Sequence, residues 1–228
     1  MLPLTDTAIV YLFAKEPVPG RVKTRLSPPL TREQAADCYR AFLRDTLERI
    51  VEATGVEVRV AVAERPAPFV EGLCAGLGLE LREQGPGDLG QRMKRAMEAH
   101  ATDRRGVILL ASDVPDLPLE LLESAAAVLK TGRVVVGPGN DGGYYLIGAS
   151  TGPPPVFDLE VAWGGPDVLG ETLARLERAG LAVELLPEWA DVDDYQGLCR
   201  LAGRISGKRV PRHSAALIAS LPLTEVRG

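Results

Sequence analysis

Apolar and polar positions switch between two periods along the chain. Thr7–Phe13 (TAIVYLF) is an almost unbroken apolar run, the pattern of a strand buried on both faces. Over residues 29–54 the period lengthens: Ala35, Cys38, Tyr39, Phe42, Leu43, Thr46, Leu47 and Ile50 recur at helical spacing. Thr31 and Gln34 stand as a capping box before them, and Gly55 marks the stop. Val56–Ala63 alternates and is β-branched, hence a strand, and Leu79–Glu83 predicts a short one ahead of a Gly/Pro loop. Asp88 is placed to cap a helix over residues 89–101. Gly106–Ala111 (GVILLA) is a second buried strand, then SDVPD, then a helix over 118–130 with Pro118 in its first turn and Gly132 past its end. Arg133–Gly137 is a strand, and a glycine-rich turn leads into another at Tyr144–Ile147. A helix over 165–180, a strand over 181–187 and a helix grown out of DVDDYQGLCRLAGR complete the pattern. From Gly207 the chain is basic, then weakly patterned, and reads as a surface appendage.

Strands alternating with helices predict an α/β fold: three layers, α/β/α, around a mostly parallel, Rossmann-like sheet. Residues 1–206 read as one domain and 207–228 as a C-terminal tail. At 228 residues, 46% hydrophobic and 25% charged, the chain is long enough to bury a large core without staples. Its net charge of −5 argues against a nucleic-acid polymer as partner. Cys38, Cys74 and Cys199 form no C-x-x-C pair, so neither zinc nor a disulfide framework is expected, and a reducing compartment is. The N-terminal stretch lacks a basic n-region, and no run reaches membrane-spanning length; a cytoplasmic location follows as an expectation.

Against this acidic background, FAKEPVPGRVKTRL (13–26) gathers Lys15, Arg21, Lys23 and Arg25 against one acid, Glu16. In open α/β sheets, ligands bind beyond the carboxyl ends of the strands, and this loop directly follows the first strand. The four cations suit a diphosphate, with Gly20 letting backbone N–H groups approach; a solvated charged loop is the alternative. Neither a Walker A nor a G-x-G-x-x-G pattern is present. Three more unusual segments fall at strand ends. SDVPD offers Asp113 as a ligand for a divalent ion, with Asp116 more suited to capping the next helix. DVDD offers Asp191 and Asp193 on one face of an extended segment, with Asp194 as a helix cap; turn hydrogen bonds are the alternative for each. NDGGYY offers Asp141, Gly142, Gly143 and Tyr144 to a sugar or acceptor, or simply makes a tight turn. Arg92, before or within a capped helix, is within reach of a phosphate. The histidines, His100 and His213, make a Ser-His-Asp set improbable.

As a set, FAKEPVPGRVKTRL, GDLGQRM, SDVPDLP, GPGNDGGYYLIG, Trp163 and DVDDYQGL resemble a prokaryotic family of glycosyltransferase-type proteins with the GT-A, nucleotide-diphospho-sugar transferase fold, some associated with arsenosugar biosynthesis. The likeness spans about residues 7–201. More distantly the chain is similar to 2-phospholactate and molybdenum-cofactor guanylyltransferases. The resemblance implies a nucleotide or nucleotide-sugar substrate and a Mg2+ or Mn2+ ion. Carried over, phosphate binding falls on Lys15, Arg21, Lys23 and Arg25, to which the reading of the residues adds Gly20 and Arg92. The metal falls on Asp113 with Asp191 or Asp193, and Asp141 is the candidate general base. The first loop lacks the G-x-G-T-R core of sugar nucleotidylyltransferases, and SDVPD is not a D-x-D motif. The first departure counts against nucleotidyl transfer and the second against glycosyl transfer, so both stay open, with glycosyl transfer from a nucleoside-diphosphate sugar the leading expectation. Nucleotidyl transfer from an NTP to a phosphorylated acceptor, and an inactive anion-binding module, are the alternatives.

Overall fold

A computed structural model describes residues 7–101, 105–158, 163, 165–207, 211–221 and 223. Seven strands form one sheet in the order β3-β2-β1-β4-β6-β5-β7. β1 (Ala8–Ala14), β2 (Val56–Val62), β3 (Glu80–Glu83) and β4 (Val107–Ala111) run parallel. β6 (Tyr144–Ala149) runs antiparallel to both β4 and β5 (Val134–Pro138), and β7 (Val183–Leu185) closes the far edge parallel to β5. The expected mostly parallel three-layer α/β/α architecture is present, with one reversed strand inside it.

The sheet separates two cores. One lies against α1 (Arg32–Ile50), α2 (Pro68–Leu77), α4 (Leu119–Leu129) and α6 (Tyr195–Ile205); Phe42, Leu43, Leu122 and Leu201 are buried there. The other lies against α3 (Leu89–Glu98) and α5 (Val168–Arg178), and holds Met93, Met97 and Leu176 over Tyr11, Leu109 and Ile147. Strand residues alternate between them: Val10 and Leu12 face the first, Ile9 and Tyr11 the second. Such two-sided burial is why these strands read as continuous apolar runs.

The expected caps form. Thr31 and Gln34 make a capping box on α1, Asp88 and Gln91 another on α3, and Asp194 accepts from the Gly197 amide at the start of α6. Cys38 and Cys74 are buried thiols, pushed up to about 12 and about 11, mainly by burial. Two findings go beyond the sequence pattern. α2 occupies a stretch to which the sequence pattern above assigns no helix. α7 (Arg212–Ser220) lies within the segment that reads as a tail, and it docks on α1: buried Asp45 accepts from the His213 amide at 3.0 Å and from the Ser214 amide and hydroxyl at 2.6 Å each. The rest of that segment, residues 208–210, 222 and 224–228, lies outside the described residues. No helix of the described residues is long and apolar enough to cross a membrane.

Candidate active site

Connections beyond the carboxyl ends of β1, β4, β5 and β7 converge on a cleft of about 690 Å3. The loop after β1 is tied down on three sides. Glu16, its one acid, accepts the Phe69 and Val70 amides at 3.0 and 3.2 Å, satisfying donors at the start of α2 that Ala67 cannot cap. The Tyr39 hydroxyl on α1 accepts from the Lys15 amide at 3.1 Å and meets Ser112 Oγ at 2.7 Å. Arg40 donates to the Pro17 carbonyl at 2.9 Å. Val22 and Leu26 are buried on either side of Lys23 and seat a short 3-10 turn (Thr24–Leu26). Between them Lys23 adopts φ 45°, the left-handed region, and its side chain turns inward.

The acidic centre lies under that turn. Lys23 Nζ donates to Asp113 Oδ2 at 2.5 Å and to Asp193 Oδ1 at 2.7 Å. Arg25 pairs with the other oxygen of Asp193. The Val192 amide donates to the Asp113 carbonyl at 3.0 Å, which ties the β4 connection to the segment before α6. Oxygens of Asp113, Asp191 and Asp193 all lie within 4.8 Å of one another. Burial raises the Asp191 carboxyl to about 7, and Asp113, Asp193 and Asp141 push the same way. Burial would raise Asp193 as well, but Lys23 and Arg25 outweigh it and hold that carboxyl below the usual range. Burial likewise opposes the Lys23 charge, yet Asp113 and Asp193 hold the ammonium above the ordinary lysine value. Asp113 Oδ1 is buried without a hydrogen-bond partner. Three converging carboxylates with a buried, uncommitted oxygen suit a hard divalent cation, so the residues fit Mg2+ or Mn2+.

The sequence-derived candidates sort into groups. Lys15, Arg21, Lys23, Arg25, Arg92, Asp113, Asp141, Gly143, Tyr144, Asp191 and Asp193 line the cleft. Arg21 pairs with Glu64 at 2.5 Å, both well exposed, and Arg92 is held by the Gly87 carbonyl at 2.9 Å and Gln84 Oε1 at 3.3 Å. Gly143 donates its amide to Asp141 Oδ1 at 2.9 Å. Gly20 and Gly142 are not among the lining residues. A Cβ on Gly142 would meet the Pro166 carbonyl oxygen at 1.9 Å, so that glycine serves a close backbone approach. Asp116 is no helix cap: Arg204 donates to it at 2.7 and 3.1 Å and the Trp189 indole at 3.3 Å, while Pro118 precedes α4 with no side-chain cap.

Sequence reasoning did not single out the cleft's apolar floor. Phe13, Leu109 and Ile147 come from neighbouring strands, and Met93 from α3. Trp163 closes one side by lying against Gly90, where a Cβ would meet the indole at 2.4 Å. The signal for the floor was the alternation of β1 and β4, which sends every second residue to this face.

Residues 46–165 match the family described as an uncharacterized protein conserved in bacteria (DUF2064). A protein of solved structure from Desulfovibrio desulfuricans G20, provisionally named a nucleotide-diphospho-sugar transferase, is 34% identical with a TM-score of 0.84, over 95% of this chain and 98% of that one. CMP:2-keto-3-deoxy-manno-octonic acid synthetase, solved with CTP, is 17% identical with a TM-score of 0.51, over 88% of this chain and 98% of that one. Glucosyl-3-phosphoglycerate synthase from Mycobacterium tuberculosis, solved with Mg2+ and uridine diphosphate, is 13% identical with a TM-score of 0.51, over 88% and 80%. At such identities the last two share the fold alone. No curated protein matches the chain. The architecture is that of the nucleotide-diphospho-sugar transferases, and the chain takes its place among transferase-fold proteins. Within them it belongs to the DUF2064 family.

Proposed function

We propose that the chain is a metal-dependent transferase acting on a nucleotide-activated donor, and that it transfers a glycosyl group from a nucleoside-diphosphate sugar. The observation that carries this reading is the meeting of Asp113, Asp191 and Asp193 with the cations of the β1 loop at the carboxyl edge of the sheet. The name of the 34% identical relative supports it. The three carboxylates would hold Mg2+ or Mn2+, which when bound neutralises charge on the departing diphosphate. Lys15, Arg21 and Arg25 line the cleft as exposed residues, with heads available to phosphate oxygens. Arg92 flanks the nucleotide side. Asp141, lining the same cleft near Asp191, has one oxygen fixed by Gly143, which leaves the other to take the proton of an acceptor hydroxyl in an inverting transfer. Tyr144 and the Gly143 backbone border the sugar or acceptor.

The cation count favours one second reading. Lys15, Arg21, Lys23, Arg25 and Arg92 face a single cleft, enough for a triphosphate, so nucleotidyl transfer from an NTP with loss of pyrophosphate fits the same residues. Incubation with nucleoside-diphosphate sugars or NTPs, phosphosugars and Mn2+ separates the two by product: free nucleoside diphosphate against pyrophosphate. Either way Asp113→Ala is expected to lower turnover by at least ~100-fold. Nucleotide binding that ignores both metal and Asp113→Ala would instead describe an anion-binding module and sink the transferase reading.

A further inference from the structure

Lys23 stands where a phosphate ligand is not expected to be. Its ammonium is embedded in the acidic triad, with only 7% of the side chain exposed, at 2.5 Å from Asp113 Oδ2 and 2.7 Å from Asp193 Oδ1. Asp193 then has no uncommitted oxygen, because Arg25 takes Oδ2. An ion held by the triad needs a lone pair from Asp193, and it would sit beside a second buried cation that solvent does not screen. Arg25 can yield easily, since 69% of its side chain is exposed. Lys23 cannot retreat into water in the same way, because buried Val22 and Leu26 and its own left-handed backbone aim the stem into the cleft.

We propose that Lys23 is an exchangeable internal counter-ion: its ammonium and the divalent cation compete for Asp113 and Asp193, and the ammonium displaced by the metal is delivered to the donor phosphates. This inference rests on the reading of the triad as a metal site. It accounts for three carboxylates being compatible with a folded chain without any ion, since Lys23 and Arg25 already balance two of the three charges. It also makes metal and nucleotide binding mutually reinforcing. The ion frees the lysine that the phosphates need, and phosphates that hold the lysine leave the triad to the ion, a reciprocity that linkage requires. The lysine stem has the reach for both positions, being a flexible four-carbon chain ending in a compact charge.

The test is Mn2+ binding without nucleotide, followed by the loss of the free aquo-Mn2+ resonance, in wild type, Lys23→Gln, Lys23→Arg and Asp113→Ala. Removal of the competing charge is expected to tighten Mn2+ binding at least ~10-fold in Lys23→Gln. Lys23→Arg keeps the charge and is expected to bind Mn2+ as weakly as wild type. Unchanged or weaker binding in folded Lys23→Gln overturns the exchange while leaving the metal site intact. Absence of Asp113-dependent Mn2+ binding in every variant overturns both. A second measurement needs no variant: acetic anhydride labelling of Lys23 in the wild-type protein, read by peptide mass spectrometry. Labelling is expected to rise when Mn2+ is added and to fall again with a nucleoside diphosphate. Labelling indifferent to Mn2+, with Mn2+ bound, rejects the proposal.

Discussion

Lys23 is the one non-glycine among the described residues with a positive φ, and left-handed geometry costs an L-residue roughly 1–2 kcal/mol. The strain persists because Val22 and Leu26 fill the core on either side and leave the lysine no other direction. No spacing rule foretells this. The basic character of residues 13–26 is legible, and so is the placement of Asp113 and the Asp191–Asp193 pair at strand ends, since both follow from the order of apolar runs. Which cation meets which acid is not, because the partners are 90 and 170 residues apart. Asp116 illustrates the limit: its place just before a helix suggests a cap, yet Arg204, 88 residues on, claims it. Gly90 supplies a prediction at this scale. A Cβ there would overlap the Trp163 ring, so Gly90→Ala is expected to push the indole from the cleft wall. Donor or acceptor affinity should fall by about 10-fold, while the urea midpoint moves little, because the ring can swing outward. Titration calorimetry beside a denaturation curve checks both halves, and an unaltered affinity would show that the indole has no part in binding.

At the scale of elements, the misses have physical causes. α2 carries two glycines in ten residues, yet Phe69, Val70, Leu73, Cys74 and Leu77 recur at helical spacing against the first core, with Pro68 in the first turn and Gly78 past the end; the signal was present but short and broken by glycine. Its cap comes from elsewhere in the chain: Glu16 in the basic loop accepts its first amides. Glu16→Ala removes that substitute cap and is expected to cost about 1 kcal/mol. It should also loosen the loop that carries the cations, so phosphate affinity is expected to drop together with stability. Hydrogen exchange across residues 13–26 and 68–77 checks this: faster exchange in both segments supports the coupling, and faster exchange in α2 alone refutes it. The reversal of β6 had a signal that alternation masked. Only residues 139–143 join β5 to it, too few for the crossover a parallel pair needs. α7 was hidden because its anchor, Asp45, lies on α1. Loss of a buried carboxylate that accepts three hydrogen bonds makes Asp45→Ala destabilising by about 3 kcal/mol, visible in chemical denaturation and as rapid exchange over residues 212–220.

For the whole molecule, the sheet order decides why one cleft collects everything. β1, β4 and β6 are neighbours, so the connections that leave their shared edge meet over a common apolar floor. Among the described residues, α3 and α5 are the helices packed on the second face, and both contribute residues to the cleft wall. A ligand held in that cleft, as proposed, would sit at a seam where the two halves of the sheet join, and its binding would stabilise the entire fold. With nucleoside diphosphate and Mn2+ each at about 100 times its dissociation constant, the gain is about 2.7 kcal/mol per ligand. For a chain of 228 residues that corresponds to a rise in Tm of roughly 5–10 °C for each. The order of addition matters. If Lys23 must leave the triad before it reaches a phosphate, the two together raise Tm by more than the sum of their separate shifts, and EDTA returns the excess. Differential scanning calorimetry with metal, nucleotide and both decides this. Additive shifts would mean that Asp113, Asp191 and Asp193 hold the ion without disturbing Lys23, and shifts unaffected by EDTA would mean that the triad holds no ion at all.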